Sequence, residues 1–98
     1  GRCRRLARVR PYGLQVPLTV SELLPPAAAD PAHTAEHVAI YEGALDAFLA
    51  GRWSEAYEML HQIPPQDLGK DFLVSYILQH NHAPPPGWDG VIPIDAKR

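Results

Sequence analysis

The chain has a single cysteine, Cys3, so no disulfide can close within it. A lone thiol fits a reducing compartment. No run of about 18 apolar residues occurs, so no segment reads as membrane-spanning. The N-terminus has no apolar signal core. These absences together read as a cytoplasmic chain, although a longer parent protein is free to be membrane-anchored. There is no initiator methionine, and Gly1-Arg2-Cys3-Arg4 opens in mid-pattern, as expected for a piece of a longer protein. The seven glycines are scattered and form no phosphate-cradling loop.

Proline is the residue in excess, with eleven copies among 98 residues. Most cluster at Pro25-Pro26, Pro31, Pro64-Pro65 and Pro84-Pro85-Pro86, where they punctuate the chain between elements. A chain of this length buries on the order of 60–65% of its surface and has room for one core. Charge is uneven. Residues 1–10 carry five arginines and no acid, whereas the remainder carries four basic and eleven acidic side chains. Five arginines with no aromatic platform make a weak nucleic-acid footprint. They read better as the solvated face of a strand, or as facing a neighbour, and no nucleic-acid partner is expected.

Leu14, Val16, Leu18 and Val20 alternate with Gln15, Pro17 and Thr19, the period of a half-buried strand. Pro17 places that strand at a sheet edge. With the mixed run Leu6–Arg10 and the turn chemistry of Pro11-Tyr12-Gly13, it predicts a β-hairpin over about residues 5–23. A lone hairpin is marginal in water, so it must lie on helices, pair with another strand or complete another sheet. After a Pro/Ala linker over 25–33, Asp30 or Thr34 offers a helix cap. Val38, Tyr41, Ala44-Leu45 and Phe48-Leu49 then recur at helical spacing as far as Ala50. Gly51 sits where a terminating glycine belongs. Trp53 to Ile63 predicts a second helix, with Trp53, Ala56, Leu60 and Ile63 on one face, ended by Pro64-Pro65. Asp67 caps a third, over about 67–80, with Leu68, Phe72 and Tyr76 expected inward. Leu73, Val74, Ile77 and Leu78 widen its apolar face, so it wants partners on two sides. Pro84–Pro86 reads as an extended linker that packs Trp88 back on the domain, and Val91–Ile94 as a short edge strand.

The fold class expected is mainly α (α+β): a helical hairpin plus third helix, with an N-terminal β-hairpin and a short C-terminal strand. The parts are the hairpin at 1–24, the linker at 25–33, the three-helix module at 34–80 and the Pro-rich tail at 81–98. The structural and interface candidates are Gly51, Trp53, Ala56, Tyr41, Phe48, Phe72 and Trp88. The aromatics among them read mainly as core, with a peptide groove as the alternative.

Candidate chemistry is thin. His33-Thr34-Ala35-Glu36-His37 matches an inverted zinc-protease pattern. The preceding linker puts His33 at or outside the helix start, and no third ligand follows. His80, His82 and His61 read as separate surface histidines, and Cys3 as an inert thiol without an activating partner. No catalytic, cofactor-binding or metal-binding residue is assigned, and no cofactor is expected.

Two resemblances carry the functional expectation. The run Ala50-Gly51-Arg52-Trp53-Ser54-Glu55-Ala56-Tyr57-Glu58-Met59-Leu60 resembles the centre of a tetratricopeptide repeat: a glycine ends one helix, an aromatic follows two residues on, and a small alanine three after that. Only one copy is visible, and arrays need about three. The wider order is more specific. Arg8-Val9-Arg10-Pro11-Tyr12-Gly13 and Pro17-Leu18-Thr19-Val20-Ser21-Glu22-Leu23-Leu24 resemble the closing hairpin of class III adenylate/guanylate cyclase catalytic domains. Tyr41-Glu42-Gly43-Ala44-Leu45, Gly51–Ala56 and Pro84-Pro85-Pro86-Gly87-Trp88-Asp89-Gly90-Val91 then look like the tail that follows that domain in many bacterial cyclases. The resemblance spans about residues 5–92.

It implies a non-catalytic accessory module, with the cyclase catalytic domain of the same chain or a homodimer partner as its contact. The family's metal-binding aspartates, base-selecting residues and transition-state Asn/Arg pair lie upstream of the hairpin, and none of those motifs occurs here. The alternative is a stand-alone tetratricopeptide-like module that binds a protein or peptide.

Overall fold

A computed structural model describes residues 2–11, 13–30 and 33–94. The chain is α+β. Strands β1 (Arg2–Arg10) and β2 (Leu18–Leu24) are followed by helices α1 (Ala35–Leu49), α2 (Trp53–Leu60) and α3 (Leu68–Gln79), then by a short strand β3 (Ile92–Pro93). The sheet order is β2-β1-β3. β1 therefore lies in the middle, antiparallel to β2 and parallel to β3.

The hairpin forms as expected, but with a longer first strand and a shifted second one. Pairing runs from Arg2↔Leu24 to Val9↔Leu18. Past Arg10 the next residue is Pro11, which has no N–H to extend a ladder. Leu14 and Val16, placed in the strand by their alternation, consequently stand in the connection at 51% and 64% exposure. The turn is held by the Leu14 N–H donating to the Pro11 carbonyl; Tyr12 lies outside the described residues.

Between Arg5 and Ala7 a β-bulge breaks the register. α1 reaches the strand there. Glu42 accepts the Arg5 N–H at 2.8 Å, and the Tyr41 hydroxyl donates to the Leu6 carbonyl at 2.8 Å. Farther along, β3 pairs with β1, and the Ile94 N–H donates to the Arg10 carbonyl.

The helix bounds follow from local chemistry. The Thr34 hydroxyl accepts the His37 N–H, capping α1, and Asp67 accepts the N–H groups of Gly69 and Lys70, capping α3. α1 ends in a Schellman turn: Gly51 N–H donates to the Phe48 carbonyl and Arg52 N–H to that of Ala47. Gly51 has φ +87°. An alanine in that left-handed position costs about 1–2 kcal/mol. Gly51→Ala is accordingly expected to lower Tm by several degrees in a thermal melt, while the helical circular-dichroism signal at low temperature stays intact.

One core joins the sheet to the helices. Ala7, Val9 and Ile92 from the strands meet Tyr41, Ala44, Leu45, Phe48, Trp53, Ala56, Leu60, Leu73 and Ile77 from the helices. Ala44, Ala47 and Ala56 are fully buried, and such small side chains let α1 and α2 approach closely. No helix among the described residues is long and apolar enough to cross a membrane.

Candidate docking face and the contacts behind it

α3 departs from its sequence reading. Leu73 and Ile77 are the side chains it buries, and Tyr76 is half-buried. Leu68 and Phe72, expected inward, are 80% and 44% exposed. A helix apolar over most of its circumference has no single stripe to fix its rotation. Here its start is tied down by the buried pairing of Asp67, its N-cap, with Arg4, and Leu73 and Ile77 enter the common core.

β2 also turns apolar groups outward, with Leu18 at 46% and Val20 at 40% exposure. The expected half-buried strand is thus largely uncovered; only Leu24 is buried. Between sheet and helix lies a groove of about 280 Å³, walled by Leu6, Val9 and Val20 on one side and by Leu68, Gly69 and Phe72 on the other. Beyond Phe72 a second groove, of about 330 Å³, passes Tyr76 to Ile92, Pro93 and Ile94. The first groove is lined by apolar side chains with Glu22 among them, and the second also has Ser75 and Gln79 in its wall.

Behind the face sits a buried ion pair. Both side chains are 1% exposed, and Arg4 grips Asp67 in bidentate fashion at 2.7 and 2.8 Å. Arg4 also bonds Glu22 and lies 4.3 Å from the centre of the Tyr41 ring. Gly69 makes the approach possible: a Cβ there would stand 2.9 Å from Leu6 Cδ2 and 3.0 Å from an Arg4 nitrogen. Burial pushes the Asp67 carboxyl up, but the Arg4 hydrogen bonds, the Lys70 N–H and the charges of Arg4 and His33 outweigh it, so the carboxyl lies below its ordinary range. Burial raises the Tyr41 hydroxyl well above its usual range and keeps it a neutral donor.

The basic arm is therefore not simply a solvated face. Arg2 donates to the carbonyls of Pro25 and His33, Arg4 is buried, and Arg5 pairs with Glu42 and Asp46.

The sequence candidates divide among four places. Gly51, Phe48, Trp53 and Trp88 meet at the α1–α2 turn. Trp53 stacks on Phe48 with centroids 5.0 Å apart, and Trp88 meets both rings edge-on. Both indole N–H groups donate to the Phe48 carbonyl, each at 3.0 Å. Trp88 Cδ1 would lie 3.7 Å from a Cβ at Gly51, so the tail does fold back on the turn. Ala56 lies deeper in the α1–α2 contact, Tyr41 belongs to the ion-pair cluster, and Phe72 belongs to the open face.

His33 lies outside α1, as the preceding linker suggested, and contacts two carboxylates. Its Nδ1 lies 2.9 Å from Asp30, and its Nε2 lies 3.7 Å from Asp67. Among the described residues no group of three or more His, Cys, Asp or Glu side chains is placed to hold a metal.

Neither a protein-family model, nor a curated protein, nor a solved structure matches this chain.

Proposed function

We propose that the chain is a non-catalytic accessory module of a class III adenylate/guanylate cyclase, acting through contacts with the catalytic domain of its own chain or with a dimer partner. The observation that carries this reading is the uncovered apolar face of β2 and α3, where Leu18, Val20, Leu68 and Phe72 stand between 40% and 80% exposed. Polar side chains nearby serve internal structure, as the Arg4–Asp67 and Arg5–Glu42 pairs show. The motifs behind the cyclase resemblance fall on β1 and β2, on the α1–α2 turn and on the Trp88 tail, which share one fold. A peptide-binding repeat needs a free face along its helix pair. Here α1 has β1 on one side and α2 on another, which favours the accessory reading.

The test is made in the parent reading frame. Deleting residues 34–98 should change the cyclase activity or lower its Tm. The double variant Val20→Glu/Phe72→Glu should reproduce that change while the module keeps its helical signal. A parent enzyme with unaltered activity and melting after the deletion would sink the proposal.

A further inference from the structure

The geometry points to a specific occupant of the open face: a second copy of this chain, paired antiparallel along β2. The inference rests on the reading of that face as a docking surface and names its partner.

β2 is the terminal strand of the sheet, and among the described residues no backbone hydrogen bond ties Leu18–Leu24 to any element but β1. Proteins that keep an edge strand solitary guard it with lysine, proline, a bulge or shortness. β2 has no lysine, proline or bulge, and its one charge, Glu22, is half-buried and neutralised by Arg4. It runs seven residues, Leu-Thr-Val-Ser-Glu-Leu-Leu, with prolines only outside it at Pro17, Pro25 and Pro26. The bulge of this sheet lies in β1, and the opposite edge of β1 is occupied by α1 side chains and β3. Among the described residues β2 is thus the long edge left ready for strand addition, the other edge being the two-residue, proline-bearing β3.

Two-fold symmetry restricts the register. A two-fold axis normal to a sheet keeps each face on its own side, so residues that oppose one another must share a face. Centring the axis on Ser21 pairs all seven residues of β2. It sets Leu18 against the partner's Leu24, Thr19 against the partner's Leu23, and Val20 against the partner's Glu22. A Glu22-centred axis would instead place two carboxylates side by side, which is destabilising.

The Ser21 axis also keeps the groove side of one copy continuous with that of the other. Leu18, Val20, Leu68 and Phe72 of both copies then line one shared channel, with the Glu22 of each copy in its wall and held by its own Arg4. Leu23, 86% exposed, gains the partner's Thr19 methyl as a cover. The four groove side chains expose on the order of 400 Å² per copy, and if all of it were covered, together with the two strand backbones and Leu23, the total for two copies would approach the roughly 1,200 Å² at which stable interfaces begin.

Light scattering and sedimentation of the 98-residue chain, across micromolar to millimolar concentration, test this. The expected mass is twice 10.8 kDa at the upper end of the range. Ser21→Lys should shift the dissociation constant upward at least tenfold by setting two ammonium groups at the axis, with unchanged circular dichroism. Ser21→Cys in a Cys3→Ser background, treated with a mild thiol oxidant, should cross-link as a dimer, because directly opposed residues lie within disulfide reach. A monomer at every concentration overturns the proposal. So does a dimer that persists in Ser21→Lys, or one that Ser21→Cys fails to cross-link. None of these three results touches the accessory reading, which stands or falls on the parent deletion.

Discussion

Arg4→Met is expected to cost about 3–5 kcal/mol, because it leaves the Asp67 carboxylate buried without its counter-charge. Native domains of this size have a total stability of about 5–15 kcal/mol, so the variant will be close to unfolding at room temperature. Asp67→Ala should be at least as damaging: it strands Arg4 and also removes the α3 cap. The informative comparison is the double variant Arg4→Met/Asp67→Ser. Serine retains a capping oxygen, and no charge is left buried. Its loss in urea titration should be smaller than the sum of the two single losses. Additive losses would mean that the pair is not coupled.

The same pair sets the acid limit of the fold. The Asp67 carboxyl lies below its ordinary value in the folded state. Its contribution is then fully present above the unfolded carboxylate value, about 3.9, and is lost as pH falls through the lower folded value. Stability measured from pH 5 downward should drop more steeply in the wild type than in the double variant.

The second large effect belongs to the aromatic turn. Trp53→Ala removes a side chain that is 1% exposed, stacked on Phe48 and edge-on to Tyr76 and Trp88. The loss expected is about 3–5 kcal/mol. Trp88→Phe should behave differently. It retains an aromatic ring but removes one indole donor from the Phe48 carbonyl. That carbonyl still accepts from the Gly51 N–H and from Trp53, so nothing buried is orphaned. The cost should be about 0.5–1.5 kcal/mol. Chemical denaturation of the two variants, followed by the remaining tryptophan's fluorescence, checks the contrast. Equal losses would show that Trp88 holds the turn as strongly as Trp53 does.

The helices were legible in the sequence because their signals are local. Thr34, Gly51, Pro64-Pro65 and Asp67 mark boundaries within a few residues of the elements they bound, and the observed helices begin and end close by. The α1–α2 turn was legible for the same reason, since Gly51, Trp53 and Ala56 lie within six positions of one another. The partner of Arg4 was not legible. Asp67 is far away in sequence, and five arginines in ten residues look alike until the strand is placed.

Leu14 and Val16 show a related limit. Their alternation continues that of β2, but whether it makes a strand depends on whether β1 still runs opposite, and Pro11 ends β1 first. On α3, Leu68 and Phe72 have the same character as Leu73 and Ile77. Which pair enters the core is settled by tertiary contacts, the Arg4–Asp67 pair at the helix start among them. The open groove, the most suggestive feature for function, was hidden by that ambiguity.

The placement of β1 has a kinetic consequence. The first strand occupies the middle of the sheet, and its parallel neighbour is the last element described, with Val9 opposite Ile92. A chain emerging from the ribosome can form β1–β2 and the helix pair early, but it cannot zip the sheet shut until the Trp88–Ile92 segment is free. Such long-range closure slows folding and leaves the Val9–Arg10 end of β1 uncovered in the meantime. During synthesis the nascent chain is expected to be most prone to off-pathway strand pairing in the interval before that last segment arrives.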